Sequence, residues 1–193
     1  MSKRITLQQI TEAAKAINVP TAALQAVMKV EAKGSGFNSD GTPVILFERH
    51  VFRQRLVANA KASLADKVMR ERPDLCAKSS GGYGLYSAQH GRLNAACQYD
   101  RTSALESASW GLGQVMGYHW KALGYASLQA FINAMYKDEA SQLDAMCRFI
   151  RANGLDKYLR NQDWKNFALS YNGKEYAKNN YDIKLANAYK EFS

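Results

Sequence analysis

Apolar residues recur at three- and four-residue steps along most of the chain. Leu7, Ile10, Ala14 and Ile17 fall on one helical face. Thr6 stands just before them, where a hydroxyl can accept from a first-turn amide. Leu24, Val27 and Met28 mark a second face, opened by Pro20 and punctuated at its far end by Gly34 and Gly36, which predicts a helix of about three turns. The same spacing predicts helices over 127–135, with Leu128, Phe131, Ile132 and Met135, and over 138–152, with Leu143, Met146, Cys147 and Ile150. The second of these closes at Asn153-Gly154. Asp163 can cap a helix over WKNFALSY, and YDIKLANAYKEF makes a last one. PVILF at 43–47 is the one stretch that reads as a strand, and without a visible partner it implies a small hairpin or an extended segment lining a groove. The expected class is mainly α, with at most a small β-hairpin.

Two stretches break this rhythm. KSSGGYGLYSAQHG, 78–91, is a Gly- and Ser-rich loop in which Tyr83 and Tyr86 could offer flat faces to a ring. SASWGLGQVMG, 107–117, has glycines where a backbone turns tightly or is closely approached. Neither is a linker, so residues 1–193 are expected to form a single domain. With 193 residues, 47% hydrophobic and 22% charged, the chain can bury a sizeable core and is not a disordered tail.

The chemistry that composition excludes is broad. No apolar run approaches a membrane span, and the opening MSKRITLQQITEAAKAI has no apolar leader core, so synthesis as a soluble cytoplasmic protein is expected. Cys76, Cys97 and Cys147 are odd in number and far apart, which implies free thiols, Cys147 packing as a small hydrophobe. His50, His90 and His119 share no ligand spacing, and no nucleotide fingerprint occurs, so neither metal nor cofactor is expected. Trp110, Trp120 and Trp164 suit a core, though Trp110 beside GLGQ could also face a sugar. The net charge of +9 asks for an anionic partner: nucleic acid, a membrane surface or an anionic polymer. Its even spread along the chain argues against a dedicated nucleic-acid reader.

Glu31 is the anomaly in the second helix. It continues the face of Leu24, Val27 and Met28, in the last turn, where partial burial and the negative end of the helix dipole both favour a protonated carboxyl. That is how a general acid is made. The alternative is a side chain that snorkels to solvent and pairs with Lys29 or Lys33. Glu48, in VILFERHVF, is a second carboxylate in an apolar setting; it is either a functional group or a buried partner of Arg49, Arg53 or Arg101.

VEAKGSGF, ILFERHVF, SASWGLGQVMG, QLDAM and SYNG occur in this order, and together they resemble the N-acetylmuramidase domains of phage endolysins, within the goose-type lysozyme and lytic transglycosylase superfamily. The likeness runs over residues 5–190, although SYNG lacks the Ala of the superfamily's usual Y-N-A-G. The resemblance implies a lysozyme-like helical domain with no separate wall-binding module. It implies cleavage of peptidoglycan between N-acetylmuramic acid and N-acetylglucosamine, with Glu31 as acid and Glu48 sharing the cleft as base or charge stabiliser. Ser35, Gly113, Gln114, Tyr171 and Asn172 then match positions that contact sugar. The implied partner is the glycan strand alone, met by a monomer without nucleic acid or membrane insertion. Synthesis in the host cytoplasm and holin-dependent release complete the expectation. The rivals are a lytic transglycosylase, which uses the same acid without water, and a non-catalytic basic protein that binds wall or DNA.

Overall fold

The computed structural model describes residues 3–32 and 34–193, and by internal contacts the chain divides into two compact units. The first takes in the described residues up to Thr42, together with Gly111–Gly113 and Lys137–Ser193. It is all helical: α1 (Leu7–Ala16), α2 (Thr21–Ala32), α7 (Glu139–Ala152), α8 (Asp156–Arg160), α9 (Trp164–Asn172) and α10 (Tyr181–Phe192). The caps lie where short polar side chains precede the apolar periods. Thr6 and Gln9 form a reciprocal capping box on α1, Asp138 accepts from the Ser141 amide at 2.8 Å, and Asp163 accepts from the Asn166 amide at 3.2 Å. Pro20 takes the place before the first turn of α2, its carbonyl accepting from Ala23 and Leu24. Leu24 and Val27 of α2, Met146 and Ile150 of α7, Phe167 of α9 and Leu185 of α10 are fully buried, so the predicted faces are the packing faces.

The second unit comprises Pro43–Trp110 and Gln114–Tyr136. It contains β1 (Ile45–Phe47), α3 (Arg49–Ala58), α4 (Ala62–Glu71), α5 (Gln89–Glu106), β2 (Ala108–Trp110), β3 (Val115–Met116) and most of α6 (Leu128–Lys137). Helix α5 is kinked at Asp100, whose backbone is extended. The strand expected at 43–47 is real but not alone. It pairs antiparallel with β2, Leu46 opposite Ser109, and β2 pairs antiparallel with β3, giving a sheet of three strands where a hairpin at most was expected. Its missing partner was hidden in the stretch read as a glycine turn, because three residues are too few to display alternation. Gly117 closes that stretch at a place no side chain could fill, since a Cβ there would lie 2.1 Å from the Leu105 carbonyl oxygen. Phe47, Phe52, Trp110, Phe131 and Met135 fill this unit's core.

Buried polar side chains organise the first unit. Glu139, 3% exposed at the first position of α7, accepts from the Ile5 amide at 2.9 Å, the Ser35 hydroxyl at 3.0 Å and the Gly36 amide at 3.1 Å. One turn on, Gln142 accepts from the Leu112 amide at 3.0 Å and donates to the Gly36 carbonyl at 3.2 Å. The glycines of GSGF and GLGQ make room for it. A Cβ on Gly36 would sit 1.8 Å from Gln142 Oε1, and one on Gly111 would sit 2.5 Å from its amide carbon. Gln142→Ala takes the partner from two buried backbone groups, so we expect a loss of about 2–4 kcal/mol of folding stability. The check is the urea midpoint at unchanged slope; a midpoint equal to the parent's would show that neither group needed the amide.

Candidate active site

In the first unit Glu31 lies in the last turn of α2, half-buried. Its Oε1 accepts a hydrogen bond from Asn172 Nδ2 at 2.9 Å. Lys29, one of the two lysines considered as its partner, is instead ion-paired with Glu191; Lys33, the other, lies outside the described residues. Asn172 is the last residue of α9, which Gly173 ends at φ 81°, and its Oδ1 is buried with no hydrogen-bond partner among the described residues. Tyr171, beside it, stacks on Phe167 at 5.2 Å and meets Phe149 edge-on at 5.4 Å. The Tyr171 hydroxyl donates to the Gly113 carbonyl at 2.7 Å. Burial, reinforced by the neighbouring Glu31 carboxylate, pushes that hydroxyl well above the usual phenol range, so it stays a neutral donor.

Four of the sequence candidates therefore meet in a chain that runs Glu31, Asn172, Tyr171, Gly113. Ser35 belongs to the adjoining turn, its hydroxyl held by Glu139 while accepting from the Phe37 amide at 3.1 Å. The serine, with Gly36, sets the backbone that leaves α2.

In the second unit Glu48 stands at the start of α3, just past β1, its amide bonded to the Ser107 carbonyl at 3.0 Å. None of the three arginines considered as its partner is bonded to it. Arg49 donates to the Pro73 carbonyl, Arg53 pairs with Asp66 and Arg101 donates to Gln129. The nearest charged group to Glu48 is His50, whose Nδ1 is 3.2 Å from Oε2, and Tyr83 and Arg92 also bear on its charge. Burial pushes the carboxyl above the usual carboxylate range, against the pull of His50, Tyr83 and Arg92. Its side chain is 16% exposed, and Oε2 makes no hydrogen bond among the described residues. Gln114, of the same unit, adopts φ 46° in the GLGQ turn, and its Oε1 accepts from the Ser109 hydroxyl at 2.9 Å.

Sequence reasoning missed Glu139 and Gln142 as part of this framework, and also Glu106. That carboxylate is 5% exposed and holds Arg55 at 2.8 Å, Asn59 at 3.2 Å and the Trp120 indole at 3.3 Å. All three polar side chains look like ordinary solvent-facing helix positions in the sequence. Trp110 is core, its indole bonded to the Leu105 carbonyl. The thiols carry no nucleophile: burial pushes Cys147 up to about 12 and Cys76 to about 11. Among the described residues no three His, Cys, Asp or Glu side chains gather as a metal would need.

A family model described as N-acetylmuramidase matches residues 20–193. Among solved structures, the crystal structure of the Burkholderia AP3 phage endolysin is similar at a TM-score of 0.91 and 42% identity, over 100% of this chain and 73% of that one. Comparison with curated proteins returns no match. The chain belongs to the N-acetylmuramidase family, lysozyme-type glycoside hydrolases that degrade peptidoglycan.

Proposed function

We propose that the chain hydrolyses the bond between N-acetylmuramic acid and N-acetylglucosamine in glycan strands, with Glu31 donating the proton to the leaving oxygen. The observation that carries this is the 2.9 Å hydrogen bond from Asn172 to Glu31 at the end of α2. A proton donor must be aimed, and a neutral amide aims a carboxyl through one oxygen. The buried, unpartnered Oδ1 of Asn172 offers an acceptor to a sugar N–H or O–H. Gly113, Tyr171, Asn172 and Ser35 are assigned to sugar contact in the first unit and Gln114 in the second. Residues 1–193 serve as one catalytic domain, working as a monomer.

Glu48 is given the part of the second carboxylate, as base for the attacking water or stabiliser of an oxocarbenium-like charge. Its support is local: a largely buried carboxylate beside His50, with Arg49, Arg53 and Arg101 all engaged elsewhere. The +9 charge suits the anionic polymers of a wall rather than nucleic acid or a membrane interior. No described helix is long and apolar enough to cross a membrane. Synthesis in a host cytoplasm and holin-dependent release to the wall complete the proposal, and what favours a wall-acting role is the likeness to a phage endolysin.

Glu31→Gln keeps the shape and removes the proton, so wall-clearing activity should fall at least about 100-fold with the melting temperature unchanged. Clearing near the parent rate would sink the assignment. Products of the parent enzyme should carry reducing ends by mass spectrometry, and 1,6-anhydro ends would mean transglycosylation instead. Glu48→Gln should lower turnover roughly 10²–10⁴-fold while the glycan still binds. If melting drops sharply and turnover at low temperature is normal, Glu48 is structural.

A further inference from the structure

We propose that the second unit carries an additional glycan-binding groove between α5 and α6, which takes a carboxylate at Arg101 and a sugar ring on Tyr136. This goes beyond the assignment of Glu31 and Glu48 and rests only on peptidoglycan being the substrate.

The groove has a volume of about 490 Å³, within the ~300–1,000 Å³ usual for small-ligand sites. Its floor is apolar, made by Leu93, Leu105, Trp110 and Ile132, each nearly fully buried. Its rim is polar. Gln129, Asn133 and Tyr136 fall at the i, i+4, i+7 spacing of one face of α6, so two amides and a phenol ring are turned to the same side. From α5 come Asn94, Gln98 and Arg101. An apolar floor ringed by amides suits a saccharide, which has C–H faces and a hydroxyl edge. Tyr136 supplies the platform: its ring meets the buried Trp110 indole at 6.3 Å and is still 41% exposed.

The charge at the rim is specific. Arg101 is the one cation lining the groove among the described residues, and it has no carboxylate partner among them. The adjacent acid, Asp100, stands at the kink of α5 and is turned to Lys61 and to the Ser103 amide, the latter at 2.8 Å. Arg101 instead donates to Gln129 Oε1, and Gln129 Nε2 donates to Asn133 Oδ1 at 2.7 Å. The relay runs one way, leaving further N–H groups on Arg101 and those of the Asn133 amide directed to a ligand. Donors around one guanidinium fit an acceptor-rich molecule that carries a single carboxylate. A nucleic acid, with a phosphate at every step, asks for several cations and finds one.

Tyr136 lies seven residues past Gln129, about 10 Å along α6. Guanidinium and ring are therefore spaced for two linked sugars rather than one. None of His50, Tyr83 and Arg92 lines the groove, so it is separate from the surroundings of Glu48. A strand bound here is held, not cut, which keeps the enzyme on the wall between cuts.

The probe is the disaccharide of N-acetylglucosamine and N-acetylmuramic acid with muramic acid at the reducing end, which carries one carboxylate and has no bond of the cleaved kind. It is titrated into nitrogen-15-labelled parent, Tyr136→Ala and Arg101→Gln, beside the carboxylate-free disaccharide of N-acetylglucosamine. In the parent, backbone amides of 93–105 and 129–136 should shift, and the carboxylate-free sugar should bind there about 10-fold more weakly. Arg101→Gln should abolish that discrimination, and Tyr136→Ala should weaken both sugars at least about 10-fold. Turnover on a short soluble glycan should stay within about twofold in both variants, while clearing of intact walls falls roughly 5–10-fold. Shifts confined to other parts of the chain, or equal affinity for the two sugars in the parent, overturn the proposal. So does a DNA oligonucleotide that moves the same amides at lower concentration. If Tyr136→Ala does not fold, Arg101→Gln, changed only at an exposed side chain, decides: undiminished discrimination overturns the proposal. The assignments of Glu31 and Glu48 stand or fall separately, on the turnover of E31Q and E48Q.

Discussion

The first unit depends on a carboxylate and an amide buried one turn apart on α7. Glu139 and Gln142 satisfy the backbone of the GSGF turn and of Leu112, segments with no secondary structure to satisfy them. Buried amides and carbonyls without partners are costly, so a buried turn leaving a helix needs either regular structure or side chains of this kind. The solution imposes glycine on the chain. Gly36 and Gly111 are required by the volume of Gln142, a reason beyond the helix stop and the tight turn that the sequence alone suggests for them.

The two candidate carboxylates are held in contrasting ways. Glu31 rests at the C-terminal end of a helix, where the dipole is negative, and takes a bond from a neutral amide. Glu48 stands at the N-terminal start of another helix, where the dipole favours an anion, among His50, Tyr83 and Arg92. For Glu48 burial nevertheless outweighs these attractions and raises the carboxyl above the usual carboxylate range.

Much of the first unit was legible in the sequence because its helices carry large aliphatic side chains at helical spacing behind short polar caps. Glu31 was legible for the opposite reason, since it broke the period. Asn172 was a candidate by resemblance, but its bond to Glu31 was not legible, because it depends on where α9 ends relative to α2, 141 positions earlier. Helices α3 to α5 left a fainter mark. In α3 the buried Val51, Phe52 and Leu56 are interleaved with arginines, and in α5 the inward residues include Ala96, Ser103 and Ala104, too small to register as an apolar stripe. Glu139, Gln142 and Glu106 were illegible in principle. A polar residue in a helix signals solvent unless the groups it bonds are known.

The burial of the thiols bears on how the protein resists oxidation. A thiol pushed to about 11 or 12 is ionised to roughly one part in 10⁴ or less at neutral pH. Exchange and oxidation both proceed through the thiolate. Cys76 and Cys147 are therefore kinetically silent, and Cys97, raised in the same direction by burial, is slowed. Three unpaired cysteines are thereby held toward the thiol form, so resistance to crosslinking rests on proton affinity rather than on the absence of sulfur.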